Sequence, residues 1–239
     1  MNAEPSRLKE TAMTTSSPTR VHNVRDFRAP VDDTRAGRLV FDAGAPQLRL
    51  SGDQGLPDLL RARFSRILPD VRTSGGEIVV IYPPVVPVLG WIRQGVLQPQ
   101  GEVTLNATFP WELEFRGGIT RLEADLRDVD VRDVVIRSGV SYARLRLGMP
   151  SGTVRVAMAG GVGDLDVERP ADVPIRLTVD GAIGSLDLED DSLGAIGGRL
   201  RRTSDGWAEA ADRFDVAVLG GIGHLAVAAS MAKTLRRST

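Results

Sequence analysis

Five acidic residues close together in the sequence, Asp166, Asp187, Glu189, Asp190 and Asp191, are the first candidates for chemistry in this 239-residue chain. Carboxylates grouped on one surface can ligate a hard cation such as Ca2+ through oxygen, or divide acid and base roles in polysaccharide hydrolysis. Other chemistries are poorly supplied. Cysteine is absent, which excludes thiolate metal sites and disulfides. The two histidines, His22 and His224, lie far apart, and a Ser-His-Asp arrangement would have to use His224 without a Gly-x-Ser-x-Gly elbow. Gly160-Gly161-Val162-Gly163-Asp164-Leu165 lacks the Asp placement and the nine-residue period of a calcium-binding β-roll. A strand rather than a helix follows those glycines, so they are not a dinucleotide cradle. No catalytic, cofactor-binding or metal-ligating residue is assigned, and no cofactor is expected.

The element that must position the carboxylates is a repeat. Leu113-Glu-Phe115-Arg-Gly117-Gly118-Ile119-Thr-Arg-Leu122-Glu-Ala124 returns as Val134-Val-Ile136-Arg-Ser138-Gly139-Val140-Ser-Tyr-Ala143-Arg-Leu145. It returns again as Val156-Ala-Met158-Ala-Gly160-Gly161-Val162-Gly-Asp-Leu165-Asp-Val167 and as Leu177-Thr-Val179-Asp-Gly181-Ala182-Ile183-Gly-Ser-Leu186-Asp-Leu188. Apolar residues alternate with polar ones on either side of a small pair, so each half is a strand with one dry face. The alternation breaks at the small pair, which reads as a corner that needs little side chain and favours positive φ. A fixed period without a helix signal means stacked coils. The predicted fold is all-β: a single-domain parallel β-helix, or β-solenoid, with about 21–22 residues per coil.

Two further copies, Leu39 to Leu50 and Val216 to Val227, extend the stack. The expected organisation is a disordered tail over residues 1–36, a solenoid domain over 37–230 and a basic tail over 231–239. Within the solenoid, 83–101 reads as an irregular insert and 190–213 as a degenerate coil. Leu60 to Phe64, Glu77 to Tyr82 and Val103 to Leu105 read as strands, and Ala208 to Arg213 as one helical turn. Stacking in sequence order would align Glu123, Arg144, Asp166 and Asp187 in one outward column and Asp125, Arg146, Glu168 and Glu189 in another. The preferred reading of these columns is a solvated ion ladder that fixes register. The alternative is the metal or glycan site of the opening candidates.

Pro83-Pro84-Val85-Val86-Pro87-Val88-Leu89-Gly90-Trp91-Ile92 forbids a helix or a central strand. It reads as a loop folded over an open end of the core. Its sharper reading is a docking patch of Val85, Val86, Val88, Leu89, Trp91 and Ile92 for a protein or a membrane surface. Trp91, Trp111 and Trp207 read as cap or core residues. A net charge of −1 offers no case for nucleic acid, and no apolar stretch is long enough for a spanning helix.

The repeats, with the ending Gly206-Trp207-Ala-Glu-Ala-Ala-Asp-Arg213-Phe214-Asp-Val216-Ala-Val218-Leu-Gly220-Gly221-Ile222-Gly223, resemble the carboxy-terminal β-helical domain of LiaF-like proteins. These are bacterial cell-wall-active antibiotic-response proteins related to toast-rack and adhesin-like solenoids. The likeness runs over roughly residues 38–229 and is closest to stand-alone soluble forms. It implies a β-helix, supplies no catalytic residues, and points toward cell-envelope stress regulation. The expectation is therefore a non-enzymatic scaffold or protein-interaction module, cytoplasmic or peripheral at the membrane. Its partner is a second copy joined through one end of the stack, or another protein. A carbohydrate-binding or carbohydrate-active β-helix and a membrane-surface protein using residues 83–92 are the alternatives. No small-molecule ligand is assigned.

Overall fold

Each small pair in the repeat turns one strand into the next at a corner, so two strands make a coil. The computed structural model describes residues 24–65, 67–83, 100–189 and 191–230, without the side chains of Val24 and Pro46. In chain order its strands are β1 (Val24–Ala29), β2 (Gly37–Phe41), β3 (Ala45–Asp53), β4 (Leu60–Ser65), β5 (Asp70–Ser74), β6 (Glu77–Ile81) and β7 (Gln100–Asn106). The regular coils follow as β8 (Pro110–Phe115) with β9 (Ile119–Leu126), β10 (Asp130–Ile136) with β11 (Val140–Leu147), and β12 (Thr153–Met158) with β13 (Val162–Pro170). Then come β14 (Ile175–Asp180), β15 (Ile183–Leu188), β16 (Asp191–Leu193), β17 (Arg199–Thr203), β18 (Arg213–Val218) and β19 (Ile222–Ser230). The first strand of each coil lies in a nine-stranded sheet and the second in a ten-stranded sheet. The inner faces of the two sheets enclose the core.

Like side chains pile up along the stack. In the nine-stranded sheet Val80, Phe41, Phe115, Ile136, Met158, Val218 and Val179 follow one another in register, none more than 1 % exposed. The facing pile is Leu48, Leu122, Ala143, Leu165, Leu225 and Leu186. Phe41 and Phe115 stack with ring centroids 5.6 Å apart. Burying one such side chain is worth roughly 1.5–3 kcal/mol, so the stack is held mainly by these columns. Trp111 belongs to the core: it is fully buried, and its indole Nε1 donates to the Asn106 carbonyl at 2.9 Å.

The order of coils in space departs from their order in the chain at both ends. β6 and β7 stack outside β2 and β3, while β8 and β9 stack on the inner side. At the far end the last coil, β18 and β19, is inserted between β12–β13 and β14–β15. The column of Glu123, Arg144, Asp166 and Asp187 is therefore corrected: Ala226 stands between Asp166 and Asp187, and Ala228 lies next to Glu168 on the way to Glu189.

The corner residues also behave differently from expectation. Positive φ is found at Gly75, Gly76, Gly152, Gly198 and Gly206, not in the repeat's small pairs. The pairs are small because neighbouring corners touch. A Cβ on Gly160 would lie 2.3 Å from the backbone of Ser138, whereas one on Gly161 would stand 3.7 Å from the Gly221 carbonyl. Gly160→Ala is therefore expected to cost about 1–3 kcal/mol through overpacking, while Gly161→Ala stays within about 1 kcal/mol of wild type. Urea midpoints of the two variants check the contrast.

Antiparallel returns cover the ends. β4 and β1 extend the ten-stranded sheet beyond β7, and β16 closes it beyond β15. β5 and β17 do the same for the nine-stranded sheet. Charged residues such as Asp70, Arg72, Arg199, Arg201 and Arg202 occupy these edges, which blunts edge-to-edge pairing. Residues 24–29, placed by composition in a tail, form β1, and residues 191–203 form hairpin returns rather than a degraded coil. The helical turn expected over Ala208 to Arg213 is instead an α-turn closed by the Ala210 amide on the Gly206 carbonyl. The 231–239 tail lies outside the described residues.

Candidate functional site

Strand alternation that buries every second residue sends the others outward, and parallel register ranks them in rows. On the ten-stranded sheet one row reads Asp26, Arg63, Glu102, Arg49, Glu123, Arg144, Asp166, Ala226, Asp187, Ser192. The sign alternates over seven strands. Arg49 lies 3.2 Å from Glu123 and 3.9 Å from Glu102, Arg144 lies 2.9 Å from Asp166, and in the next row Arg146 lies 3.1 Å from Glu168. Tyr142 joins the ladder: its hydroxyl donates to Asp166 at 3.1 Å, and the Arg121 guanidinium sits 4.4 Å from its ring centre. Two shallow troughs of about 400 Å3 follow these rows, one over Arg49, Glu102 and Glu123, the other over Arg146, Glu168 and Ala228.

The acidic candidates are thus dispersed rather than convergent. Asp166 is held by Arg144 and Tyr142. Asp187 lies two strands away, about 9–10 Å along the sheet, and accepts from the Ser192 hydroxyl. Glu189 pairs with Arg169, a residue only 4 % exposed whose guanidinium also donates to the carbonyls of Pro170, Ala171 and Val173. Glu189 has a left-handed φ of 55°. Asp191 is exposed on β16, opposite Leu188, and Asp190 lies outside the described residues. Among the described residues no group of three or more carboxylates and histidines is arranged to hold a metal ion. The apolar candidates Val85, Val86, Val88, Leu89, Trp91 and Ile92 also lie outside the described residues.

Asp166→Ala tests the ladder. An ion pair this exposed contributes under about 1 kcal/mol, so the urea midpoint should barely move.

The structure also brings together a trio that sequence order hid. Ser185 Oγ lies 2.8 Å from His224 Nδ1, and Asp187 Oδ2 lies 3.6 Å from His224 Nε2. They meet because the inserted β19 pairs with β15. In a hydrolytic triad the carboxylate orients Nδ1 and the nucleophile faces Nε2. Here the wiring is reversed, on an open sheet face whose backbone N–H groups are committed to the ladder. The trio is a polar clasp between strands.

The nine-stranded sheet holds the most concentrated charge. Glu114, with a side chain 8 % exposed, sits in an outward row between Val40 and Val135. Three guanidiniums close over it: Arg137 at 2.6 Å, Arg38 at 2.7 Å and Arg116 at 3.0 Å. Arg116, then Arg137 and Arg38, hold its carboxyl down at about 2 despite the opposing effect of burial. All of its acceptor capacity is occupied, so it is a structural knot rather than a proton donor. Periodicity marked Glu114 as outward and gave no sign that Arg38 and Arg137, from the coils on either side, would join its own neighbour Arg116 over it.

No helix among the described residues is long and apolar enough to cross a membrane. No curated protein matches the chain. A crystal structure of a Clostridium sporogenes ATCC 15579 protein, provisionally described as a cell adhesion protein, is similar with a TM-score of 0.69 at 16 % identity, covering 87 % of this chain and all of that one. A Bacteroides fragilis NCTC 9343 protein, provisionally described as an adhesin, matches at a TM-score of 0.31 and 9 % identity over 88 % of this chain and 98 % of that one. The first likeness supports the two-sheet solenoid, and the second is too distant to add to it. Residues 16–168 match the family described as the N-terminal domain of toast_rack, DUF2154, and the chain belongs to that family.

Proposed function

We propose that this chain is a non-enzymatic protein-interaction module that serves in bacterial cell-envelope stress regulation. The observation that carries this reading is the pairing of charges on the outer face of the ten-stranded sheet, where acidic and basic side chains alternate over seven strands of one broad face. Such a face offers shape and a patterned potential to a partner, which sets specificity more than affinity. A cleft with a convergent nucleophile, base and oxyanion donor is what acyl or glycosyl transfer would need, and the described residues do not assemble one. The provisional adhesion role of the Clostridium sporogenes protein agrees with recognition rather than turnover.

Affinity capture with the full chain and two face variants tests the reading. One variant carries Arg144→Glu and Arg146→Glu on the ten-stranded face; the other carries Val135→Lys and Ala217→Lys on the nine-stranded face. A protein captured by wild type and lost from one variant alone is the expected result. Capture that neither variant alters, or turnover of an envelope polysaccharide abolished by Asp187→Asn, overturns the interaction role. An unchanged transcriptional response to cell-wall antibiotics after gene deletion removes the stress-regulation part.

A further inference from the structure

The last coil of the chain does not sit at the end of the stack, and the charges on either side of it suit that place. If β14 and β15 stacked directly on β12 and β13, as the repeat invites, Arg155 would meet Arg176, Asp166 would meet Asp187 and Glu168 would meet Glu189. Like charges directly opposite in a sheet repel. The inserted coil separates them with the matching residues: Asp215 lies between Arg155 and Arg176, and Ala226 lies between Asp166 and Asp187. Asp215 is ion-paired to Arg176. The inner residues remain interchangeable, since Val162, Ile222 and Ile183 share one register position, as do Leu165, Leu225 and Leu186.

From this we propose that the space between β12–β13 and β14–β15 is a strand-complementation seat, and that the β18–β19 coil of a second copy of this chain can occupy it in place of the chain's own. Apolar register and four unpaired strand edges make the seat attractive to a strand pair. The like charges on its walls disfavour direct closure and favour a pair with an acidic residue on one strand and small neutral residues on the other. Every copy carries both the seat and the fitting coil, so the exchange is reciprocal and closes as a two-fold dimer.

The hinge is the segment from Ser204 to Asp212, which must pass over β14 because β17 and β18 lie on its two sides. It is fastened at the near side. Trp207 lies between the guanidiniums of Arg176 and Arg213, 3.8 and 4.5 Å from its ring, and its Nε1 donates to the Phe214 carbonyl at 2.8 Å. The Asp212 carboxylate accepts from the Gly152 amide at 2.6 Å. These contacts hold the coil in its own chain until unfolding or high concentration offers another. This route to self-association stands apart from the proposed interaction role, and either can fail without the other.

The chain has no cysteine, so two full-length single variants, Ala157→Cys and Ala217→Cys, report the exchange cleanly. The two positions are register partners on β12 and β18. Unfolded together, refolded at high concentration and oxidised, the pair should yield a mixed disulfide dimer at several times the amount of either homodimer. A statistical mixture, with the mixed dimer only about double each homodimer, overturns the proposal, and so does the absence of dimer. A second variant lacks residues 204–211, leaving a link of two Cα steps, at most about 7 Å, against the two strand spacings, about 9–10 Å, that it would have to span. By light scattering it should run at twice the mass of the chain with a β-sheet circular dichroism spectrum. A folded monomer or an unfolded chain counts against the seat.

Discussion

Replacing Leu165 with Asp should abolish the fold. Leu165 is fully buried and stands in one column between Ala143 on β11 and Leu225 on β19. The substitution removes a packed side chain, worth roughly 2–5 kcal/mol as a large-to-small change. It also places a carboxyl group where no donor faces it, at a further cost of several kcal/mol whether the group is charged or takes up a proton. Their sum reaches the whole stability of an ordinary domain, about 5–15 kcal/mol. The neighbouring Asp166→Ala, one residue along and on the opposite face, is the control. Circular dichroism at neutral pH should show an unfolded Leu165→Asp chain beside a native Asp166→Ala chain. A cooperative urea transition for Leu165→Asp within about 1 kcal/mol of wild type would mean that the pile of inward side chains is not what holds the coils together.

Acid should weaken the protein through one carboxylate above the rest. Glu114 has its folded pKa depressed from 4.5 to about 2, first by the Arg116 hydrogen bonds and then by Arg137 and Arg38. A depressed carboxylate stabilises the fold fully above its unfolded pKa, and that contribution is lost as the pH falls through the folded value. The window therefore opens near pH 4.5 and closes near 2. The full linkage is worth roughly 3 kcal/mol, and the exposed outer flanks of the arginines draw it down to about 2 kcal/mol. Glu114→Gln removes the charge and keeps the shape. In urea titrations it should be destabilised relative to wild type by about 2 kcal/mol at pH 7, with the gap closing as the pH approaches 2. A gap of equal size at both ends of that range would assign the loss to packing instead of charge.

The repeat was legible because its cause is local. Phe115, Ile136, Met158 and Val179 recur at a near-constant interval, and alternation decides which side of a strand is dry without reference to anything distant. Strands such as Leu60–Ser65 and Glu77–Ile81 followed from the same pattern. β1 did not. Arg25, Asp26 and Arg28 sit on an edge strand with much of its surface in water, so its composition is that of a loop.

The carboxylate site was misplaced for a different reason. Like-charge pairs at Asp166 with Asp187 and at Arg155 with Arg176 were present in the repeat, but Glu112 and Asp133 form one between coils that are neighbours, so no single pair excludes a stacking order. They become a signal only when several stacking orders are compared.

The amino-acid sequence by itself determined the coil: its length, its dry face, and small residues at the corners. Only the tertiary structure decided which coil lies beside which, and with it the separation of Asp166 from Asp187 and the arrival of Arg38 and Arg137 at Glu114. Apolar faces this similar carry little address. The order of the stack was left to weaker and longer-ranged terms, the charges on its outer faces and the reach of its loops, and those act only once the coils are already side by side.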